Sequence, residues 1–465
     1  MTTDAEAAEH DPETAAQVEL RRPRRRLLRH PGQVVVLAFL GAIGVGTALL
    51  ELPVASRAPG SASFVDALFT ATSAVCVTGL VTVDTGSHWS VFGQAVILLL
   101  CQVGGFGIMT TATLIGLLMV RRLGLAARLT AAAETKTIGL GDVRRVIIGV
   151  AVVSLVFEAI TWVMLTLRFL LGYDESLGRA TWLGLFHAVS AFNNAGFVLW
   201  DDSLTRFATD PWIMLPVAAA VVFGGLGFPV LLELRRHLTP RSWSLHTKLT
   251  LMMTVILFVL GGLFTGLAEW DNEATLGALD SPSKILGASF HSVMARSGGF
   301  NATDVGAMSE GTWLATIILM FIGGGSASTA GGIKVTTFVI LFFVIWAEVR
   351  GEEHVNAFHW RIDRRVQRQA LSVALMAVAA VVGGTLVVLQ LSHLPLGQVW
   401  FEVASAFGTV GLSTGITGDL PDTAQLVLVG LMFLGRLGPV TLVSALALRE
   451  RHTLYTYPEG RPIIG

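Results

Sequence analysis

Ser73-Ala74-Val75-Cys76-Val77-Thr78-Gly79-Leu80 is a stretch that the chain writes four times. The other versions are Ser190-Ala191-Phe192-Asn193-Asn194-Ala195-Gly196-Phe197, Ala295-Arg296-Ser297-Gly298-Gly299-Phe300 and Ser405-Ala406-Phe407-Gly408-Thr409-Val410-Gly411-Leu412. Each follows an apolar run opening with a Phe: Phe69, Phe186, Phe290 and Phe401. Downstream of each lies a second glycine signature inside a strongly apolar segment. These are Gly104-Gly105-Phe106-Gly107, Gly224-Gly225-Leu226-Gly227, Gly323-Gly324-Gly325-Ser326 and Gly435-Arg436-Leu437-Gly438, set 25, 28, 24 and 24 residues beyond the first glycine. A period of about 100 residues is far longer than a solenoid unit, so each copy is expected to be a multi-helix module.

Only 14% of the 465 residues are charged and 53% are hydrophobic, with a mean hydropathy of +0.67. A soluble domain carries about a quarter charged residues, so the composition is that of an all-α polytopic membrane protein. The two cysteines, Cys76 and Cys101, sit in apolar segments as small buried side chains, and the eleven His show no metal-ligand spacing. No cofactor and no nucleic-acid partner is expected. Residues 1–20 are acidic and lack hydrophobic periodicity, which reads as disorder. Arg21-Arg22-Pro23-Arg24-Arg25-Arg26 before the first apolar run has the look of an export signal, but the run is too long for one and more apolar segments follow. A cytoplasmic anchor is the better reading.

The apolar segments have two lengths. Long ones, sufficient for about 30 Å of hydrocarbon, fall at 33–52, 91–119, 146–171, 211–233, 249–268, 312–346, 370–391 and 423–447. Short ones at 63–75, 182–193, 284–294 and 397–408 cannot span and fit re-entrant half-helices that end at the glycine stretches. The pattern predicts four modules of long, short and long helix at 33–120, 146–234, 249–346 and 370–447. A basic tail at 1–32 and a tail at 448–465 flank them. If the linkers between modules are cytoplasmic, the inside holds 24 of the 32 Lys and Arg. That asymmetry places both termini in the cytoplasm.

Non-helical backbone at membrane depth is tolerated only where it lines a cavity or is buried in protein. Rings of backbone carbonyls can replace the water shell of an alkali cation without fixed charge. Glycine accepts the dihedrals that point successive carbonyls at one axis. The expected lining is therefore Val77, Thr78, Asn194, Ala195, Ser297, Gly298, Thr409 and Val410. Gly79, Gly196, Gly299 and Gly411 permit the geometry. Half-helices ending there turn their negative dipole ends on the pore, which favours cations. Glycines that merely let helices touch are the plainer alternative; four in register, each after a short apolar run, favour the pore.

Residues 33–447 resemble the Trk/Ktr/HKT superfamily of potassium transporters. The residues that carry the resemblance are Thr72 to Leu80 and Ser405 to Ser413, which look like the first and fourth filter stretches of the Ktr branch. The lack of a further helix pair before residue 33 points to the KtrB-like membrane subunit rather than the longer TrkH type. The resemblance implies four membrane–pore–membrane repeats, eight spanning helices and four half-helices around one central pore. It also implies a multi-pass protein of the cell membrane, acting as a homodimer in lipid with a cytosolic KtrA/TrkA-like nucleotide-binding ring. That ring would carry ATP/ADP or NAD(H) and dock on the basic faces 121–145 and 350–368. K⁺ is the implied cargo, bound at the filter residues, and Na⁺ a candidate activator. Because a Ser at the first filter position goes with sodium selectivity in the superfamily, Gly79 implies potassium. The third stretch departs from the family form: Met294-Ala295 replace a pair of Thr, and Ser297-Gly298 replace Thr-Ala. Sodium/potassium symport, or weakly selective monovalent cation transport, is the alternative.

Segment 312–346 is too long for one helix and is broken by Gly323-Gly324-Gly325-Ser326-Ala327-Ser328-Thr329-Ala330-Gly331-Gly332-Ile333-Lys334. Each glycine costs a helix about 1 kcal/mol against Ala. By resemblance, 323–332 is an intramembrane gating loop under the filter, with Lys334 at its end. Arg436 stands where the other modules hold Gly105, Gly225 and Gly324, at a depth where an Arg normally faces water or a partner. Glu158 is expected as a buried carboxylate or part of a coupling path, and Glu402 as a helix-dipole partner at the outer mouth. His187 and His291 are expected at half-helix starts near the mouth, and Asn193 and Asn194 as supports of the second stretch. A secondary transporter for an organic solute would show inverted repeats and midplane charges. A membrane enzyme would need a cluster of catalytic side chains. Neither pattern is present in the sequence.

Overall fold

The structure, a computed structural model, describes residues 31–58, 60, 62–121, 140–237 and 239–438. The basic cluster before residue 31, most of 121–145 and the C-terminal tail lie outside the described residues.

Fifteen α-helices make up the described fold. They are α1 Pro31–Leu50, α2 Phe64–Val75, α3 Thr85–His88, α4 Val91–Arg121, α5 Leu140–Gly172, α6 Leu177–Phe192, α7 Pro211–Leu226 and α8 Phe228–Arg236. Then follow α9 Leu245–Glu269, α10 Ser281–Met294, α11 Glu310–Phe321, α12 Val335–Val349, α13 Arg364–Ser392, α14 Leu396–Gly408 and α15 Asp422–Leu437. A two-residue ribbon, Asn356–Ala357 with Trp360–Arg361, precedes α13. Short helices α2, α6, α10 and α14 end at the four glycine stretches. The Ser63 hydroxyl caps α2 by accepting from the Asp66 amide, and Pro282 stands in the first turn of α10.

Short helices α2, α6 and α14 each pack against the long helix before and the long helix after, while α10 packs on α9 and meets α11 through the His291–Thr316 hydrogen bond. The helix that follows one stretch also packs against the short helix of the next: α4 on α6, α7 on α10, α11 on α14, and α15 back on α2. The chain thus closes a circle with the four stretches at its centre. Around the outside, α1, α5, α9 and α13 expose apolar side chains such as Leu37, Leu155, Leu263 and Leu375. A continuous band of this kind has no place against water. Among the described residues, five helices are long and apolar enough to cross a bilayer.

Two of the expected long segments are not continuous helices. Residues 312–346 divide into α11 and α12 around 322–334, as the glycine run predicts. The segment 211–233, expected as one helix, bends by 97° between α7 and α8. Gly227 at the bend has φ +92°, Pro229 follows, and Ser326 and Ala327 of the glycine run fill the angle. The Phe228 amide donates to the Ala327 carbonyl there at 3.3 Å.

Candidate functional site: a ring of four glycines

At the end of each short helix the backbone turns back on itself with the same sequence of dihedrals. Gly79, Gly196, Gly299 and Gly411 have φ of +92°, +69°, +76° and +94°. Two residues before each, Val77, Asn194, Ser297 and Thr409 also have positive φ, at +56°, +59°, +82° and +47°. A β-branched residue such as Val77 or Thr409 in this region is strained and persists only where the surroundings over-determine it. A hydrogen bond sets this turn in three stretches: the amides of Thr78, Ala195 and Val410 donate to the carbonyls of Ser73, Ser190 and Ser405 at 2.8, 2.7 and 2.9 Å.

The four glycines touch in a closed ring. A Cβ built on Gly79 would lie 2.4 Å from the Ala195 carbonyl oxygen, and one on Gly196 would lie 3.2 Å from that of Gly298. One on Gly299 would lie 2.6 Å from the Val410 oxygen, and one on Gly411 2.3 Å from the Thr78 oxygen. In each case the carbonyl immediately before one glycine faces its neighbour. At each of the four places a side chain would have to displace a neighbouring backbone atom. The second glycine signature has a reason of the same kind. Gly104, Gly224 and Gly435 lie so close to the carbonyls of Val75, Phe192 and Phe407 that a Cβ would sit 2.0, 1.9 and 1.8 Å away. Each of those carbonyls stands four residues before its ring glycine.

The serine that opens three of the stretches braces them. Ser73 and Ser405 accept from the amides of Gly79 and Gly411 at 3.0 and 3.1 Å, and Ser190 donates to the Phe197 carbonyl at 2.8 Å. In the third stretch Met294 takes that place, and the Gly299 amide has a 3.4 Å contact with the Met294 carbonyl.

Gly323 to Gly332 run beneath the ring as a non-helical loop held by backbone bonds to α7 and to its own far end. Gly325 and Thr329 amides donate to the Gly225 and Gly224 carbonyls at 2.8 and 3.2 Å, and Gly323 to Ile333 at 2.9 Å. Ser328 donates to Gly325 within the turn at 2.6 Å. Gly324 faces Ala330 and the Gly225 carbonyl, while Gly332 has φ +66° and lies against Gly408. Ser326 meets the hydroxyl of Thr336 at the start of α12. Three cations hold loop carbonyls: Arg436 donates to Thr329 and, at 3.2 Å, to Gly104; Lys334 donates to Ala330; Arg296 donates to Gly323 at 3.0 Å. Arg296 was not among the residues expected here. Its place inside the third glycine stretch, a charge at the same depth as the ring, was the signal, and the fold buries it to 4% exposure.

Three polar residues lie elsewhere than expected, while Glu158 is buried as expected. His187 and His291 are not at helix starts: each is the eleventh residue of its helix, α6 and α10, and both are buried. His187 accepts from the Leu199 amide, and His291 meets the Thr316 hydroxyl. Glu402 sits mid-helix in α14, fully buried, and its carboxylate accepts from the hydroxyls of Ser413 and Thr417 just beyond the ring. It ties the returning chain rather than facing a helix dipole. Glu158 accepts from the Asn193 side chain at 3.1 Å, and that same nitrogen also donates to Gln102. Cys76 and Cys101 are buried and unpaired. No cluster of three or more metal-ligating side chains occurs among the described residues.

A family model for cation transport proteins, TrkH, matches residues 28–452. The chain belongs to the TrkH family of cation transport proteins. It is 39% identical over 435 residues to the Ktr system potassium uptake protein B of Bacillus subtilis, covering 94% of this chain and 97% of that protein. It is 36% identical to the protein of the same name from Vibrio alginolyticus, over 93% of this chain and 94% of that one. It is also 34% identical to the potassium/sodium uptake protein NtpJ of Enterococcus hirae, over 96% and 99%. The fold matches the crystal structure of the potassium transporter TrkH from Vibrio parahaemolyticus with a TM-score of 0.73 at 19% identity, covering 92% of this chain and 87% of that one. The membrane composition, the broken helices and the family description agree.

Proposed function

We propose that this TrkH-family chain is the ion-translocating subunit of a potassium uptake system in the cell membrane. In this reading the four long–short–long groups are membrane–pore–membrane repeats, with eight spanning helices, four re-entrant half-helices and both termini in the cytoplasm. The carbonyls of residues 77–78, 194–195, 297–298 and 409–410 form the selectivity filter, with Gly79, Gly196, Gly299 and Gly411 allowing four backbones to meet at one axis. The single observation that carries the proposal is the closed ring, in which each carbonyl before a glycine faces the next glycine around the circle. Packing alone would not require the same contact four times in cyclic order. Loop 323–332 lies across the cytoplasmic side of the filter as a gate, clamped by Arg436 and Lys334, whose charges oppose cations while it is seated. The subunit acts as a homodimer on a cytosolic nucleotide-binding ring that carries ATP/ADP or NAD(H), with residues 350–368 on the docking face.

The test is purified protein in liposomes, with uptake of radiolabelled Rb⁺ competed by K⁺, Na⁺ and Li⁺. Competition by K⁺ far above Na⁺, relaxed by Gly79→Ser, is the expected outcome. Absence of cation uptake even with the loop shortened would sink the proposal. Coupled or weakly selective Na⁺/K⁺ transport is the second reading. It is favoured by the third stretch, where Met294 replaces the bracing serine and the ring glycine amide has only its long contact. The likeness to a potassium/sodium uptake protein points the same way. Na⁺-stimulated Rb⁺ uptake separates the two.

A further inference from the structure

We infer that Ser297 is a positioning residue for ion selectivity: its hydroxyl joins the fourth glycine stretch to the loop, so the ring keeps its shape only while the loop is seated. The inference rests on the proposed reading of the ring as a filter. The residue is fully buried. Its hydroxyl donates to the Thr409 carbonyl at 2.8 Å and accepts from the Gly331 amide at 3.2 Å. A hydroxyl has one proton and two lone pairs, so both bonds form together. Thr409 stands two residues before Gly411, which touches Gly79 and Gly299 in the ring.

A second thread runs beside the first. The Thr329 hydroxyl of the loop donates to the Asn194 side-chain oxygen at 2.9 Å, and Asn194 stands two residues before Gly196. Gly331 also packs directly on Thr409. Loop contact therefore falls on one register, two residues before the ring glycine, in stretches two, three and four: Asn194, Ser297 and Thr409. At the same register in stretch one stands Val77, whose side chain lies instead against Gly104 of α4. The side chain at this register is polar wherever the loop passes and apolar where it does not. Selection by carbonyls depends on how firmly those carbonyls are held. Unseating the loop frees Asn194 and Ser297 of their loop partners, and the ring relaxes.

Rb⁺ uptake competed by Na⁺ and by K⁺ gives the test, read as the ratio of the two half-inhibitory concentrations alongside the absolute rate. Ser297→Gly removes the hydroxyl while keeping a positive φ at no steric cost; Ser297→Ala removes it with the Cβ retained. Both should lower the ratio about tenfold, the effect of two modest hydrogen bonds. Deleting Ala327 to Thr329 should also lower it, and the deletion combined with Ser297→Gly by much less than the product of the two losses, because the Gly331–Ser297 bond is shared by both. Wild-type discrimination in the loop deletion, or a double variant whose two losses multiply in full, would overturn the inference. Uptake rate reads the gate separately: a deletion that lowers discrimination without raising the rate removes the gate and leaves the coupling standing. Thr329→Val, which removes only the hydroxyl that meets Asn194, tests the coupling from the loop side should Ser297→Gly not yield monodisperse protein. A ratio unchanged by Thr329→Val would count against it.

Discussion

Adding one methyl group at Gly331 should open the transporter. Gly331 lies in ordinary negative-φ backbone, so alanine is locally acceptable and the effect comes from contact alone. Its Cβ would stand 1.9 Å from the Thr409 hydroxyl oxygen and 2.9 Å from both the Thr409 Cβ and the Gly408 carbonyl oxygen. Rotating the Thr409 side chain relieves only the first of these contacts, because the other two belong to atoms fixed by the backbone. Overpacking of this kind costs about 1–3 kcal/mol. If the unseated loop bears none of it, the balance between seated and unseated states moves by roughly 5–150-fold. Rb⁺ uptake by the isolated subunit in liposomes, with no cytosolic partner, should rise by up to that factor until passage through the ring becomes limiting. Gly430→Ala is the matched control, since its Cβ would meet nothing within 4 Å. Unchanged or reduced uptake by a monodisperse Gly331→Ala protein that melts within a few degrees of wild type would refute the reasoning, because the loop would then be unseated without consequence.

Gly196→Ala should weaken both stability and discrimination: its Cβ would meet the Gly299 Cα at 2.9 Å with φ at +69°, and the left-handed backbone alone costs an L-residue about 1–2 kcal/mol. Thermal unfolding in detergent and Na⁺ competition should both show it, and Gly430→Ala should show neither. Glu269→Gln should lower stability by about 2–3 kcal/mol while sparing discrimination. The carboxylate accepts from the Asn272 and Thr275 side chains on one oxygen and from Ser309 and Thr312 on the other, so an amide must turn a donor toward donors. A melting temperature equal to wild type would contradict that account.

What the chain announced most openly was the place where helices stop. The short helices end at Val75, Phe192, Met294 and Gly408, against expected ends at 75, 193, 294 and 408, because the glycine stretches interrupt both the apolar run and the backbone. The break at 322–334 was legible for the same reason. Two of their beginnings were not: α6 starts at Leu177 and α10 at Ser281, against expected starts at 182 and 284, because Leu177-Gly178-Arg179 and Ser281-Pro282-Ser283-Lys284 interrupt the apolar pattern. The bend at Gly227 was hidden because Gly227-Phe228-Pro229 is as apolar as the helices around it, and what turns the chain there is a loop from a hundred residues later. Arg296 stood in plain view within the third glycine stretch but was given no role; it reaches the Thr254 and Gly323 carbonyls one turn from the ring.

Arg296, Lys334 and Arg436 together explain how a glycine-rich loop with so few side chains is kept in place. The ion pairs found among the described residues lie elsewhere, at Arg168–Asp210, Arg179–Glu175 and Arg206 with Asp201 and Asp202. The three cations, Arg296 and Arg436 buried and Lys334 half-buried, have carbonyls for partners instead. A hydrogen bond from a charged donor contributes about 1.5–3 kcal/mol, which is large for a loop with little apolar surface to bury. In the proposed reading of the loop as a gate, the same arrangement makes the seated state conditional. A buried cation without partners costs several kcal/mol, and Arg436 loses the Thr329 carbonyl when the loop departs, keeping only Gly104. The Nε atoms of Arg296 and Arg436 already lack a protein partner. Departure of the loop therefore requires water to reach the guanidinium groups as the carbonyls leave. In the proposed reading, the event that removes the steric block thus also hydrates the path beneath the ring and screens the positive charge that opposed the ion.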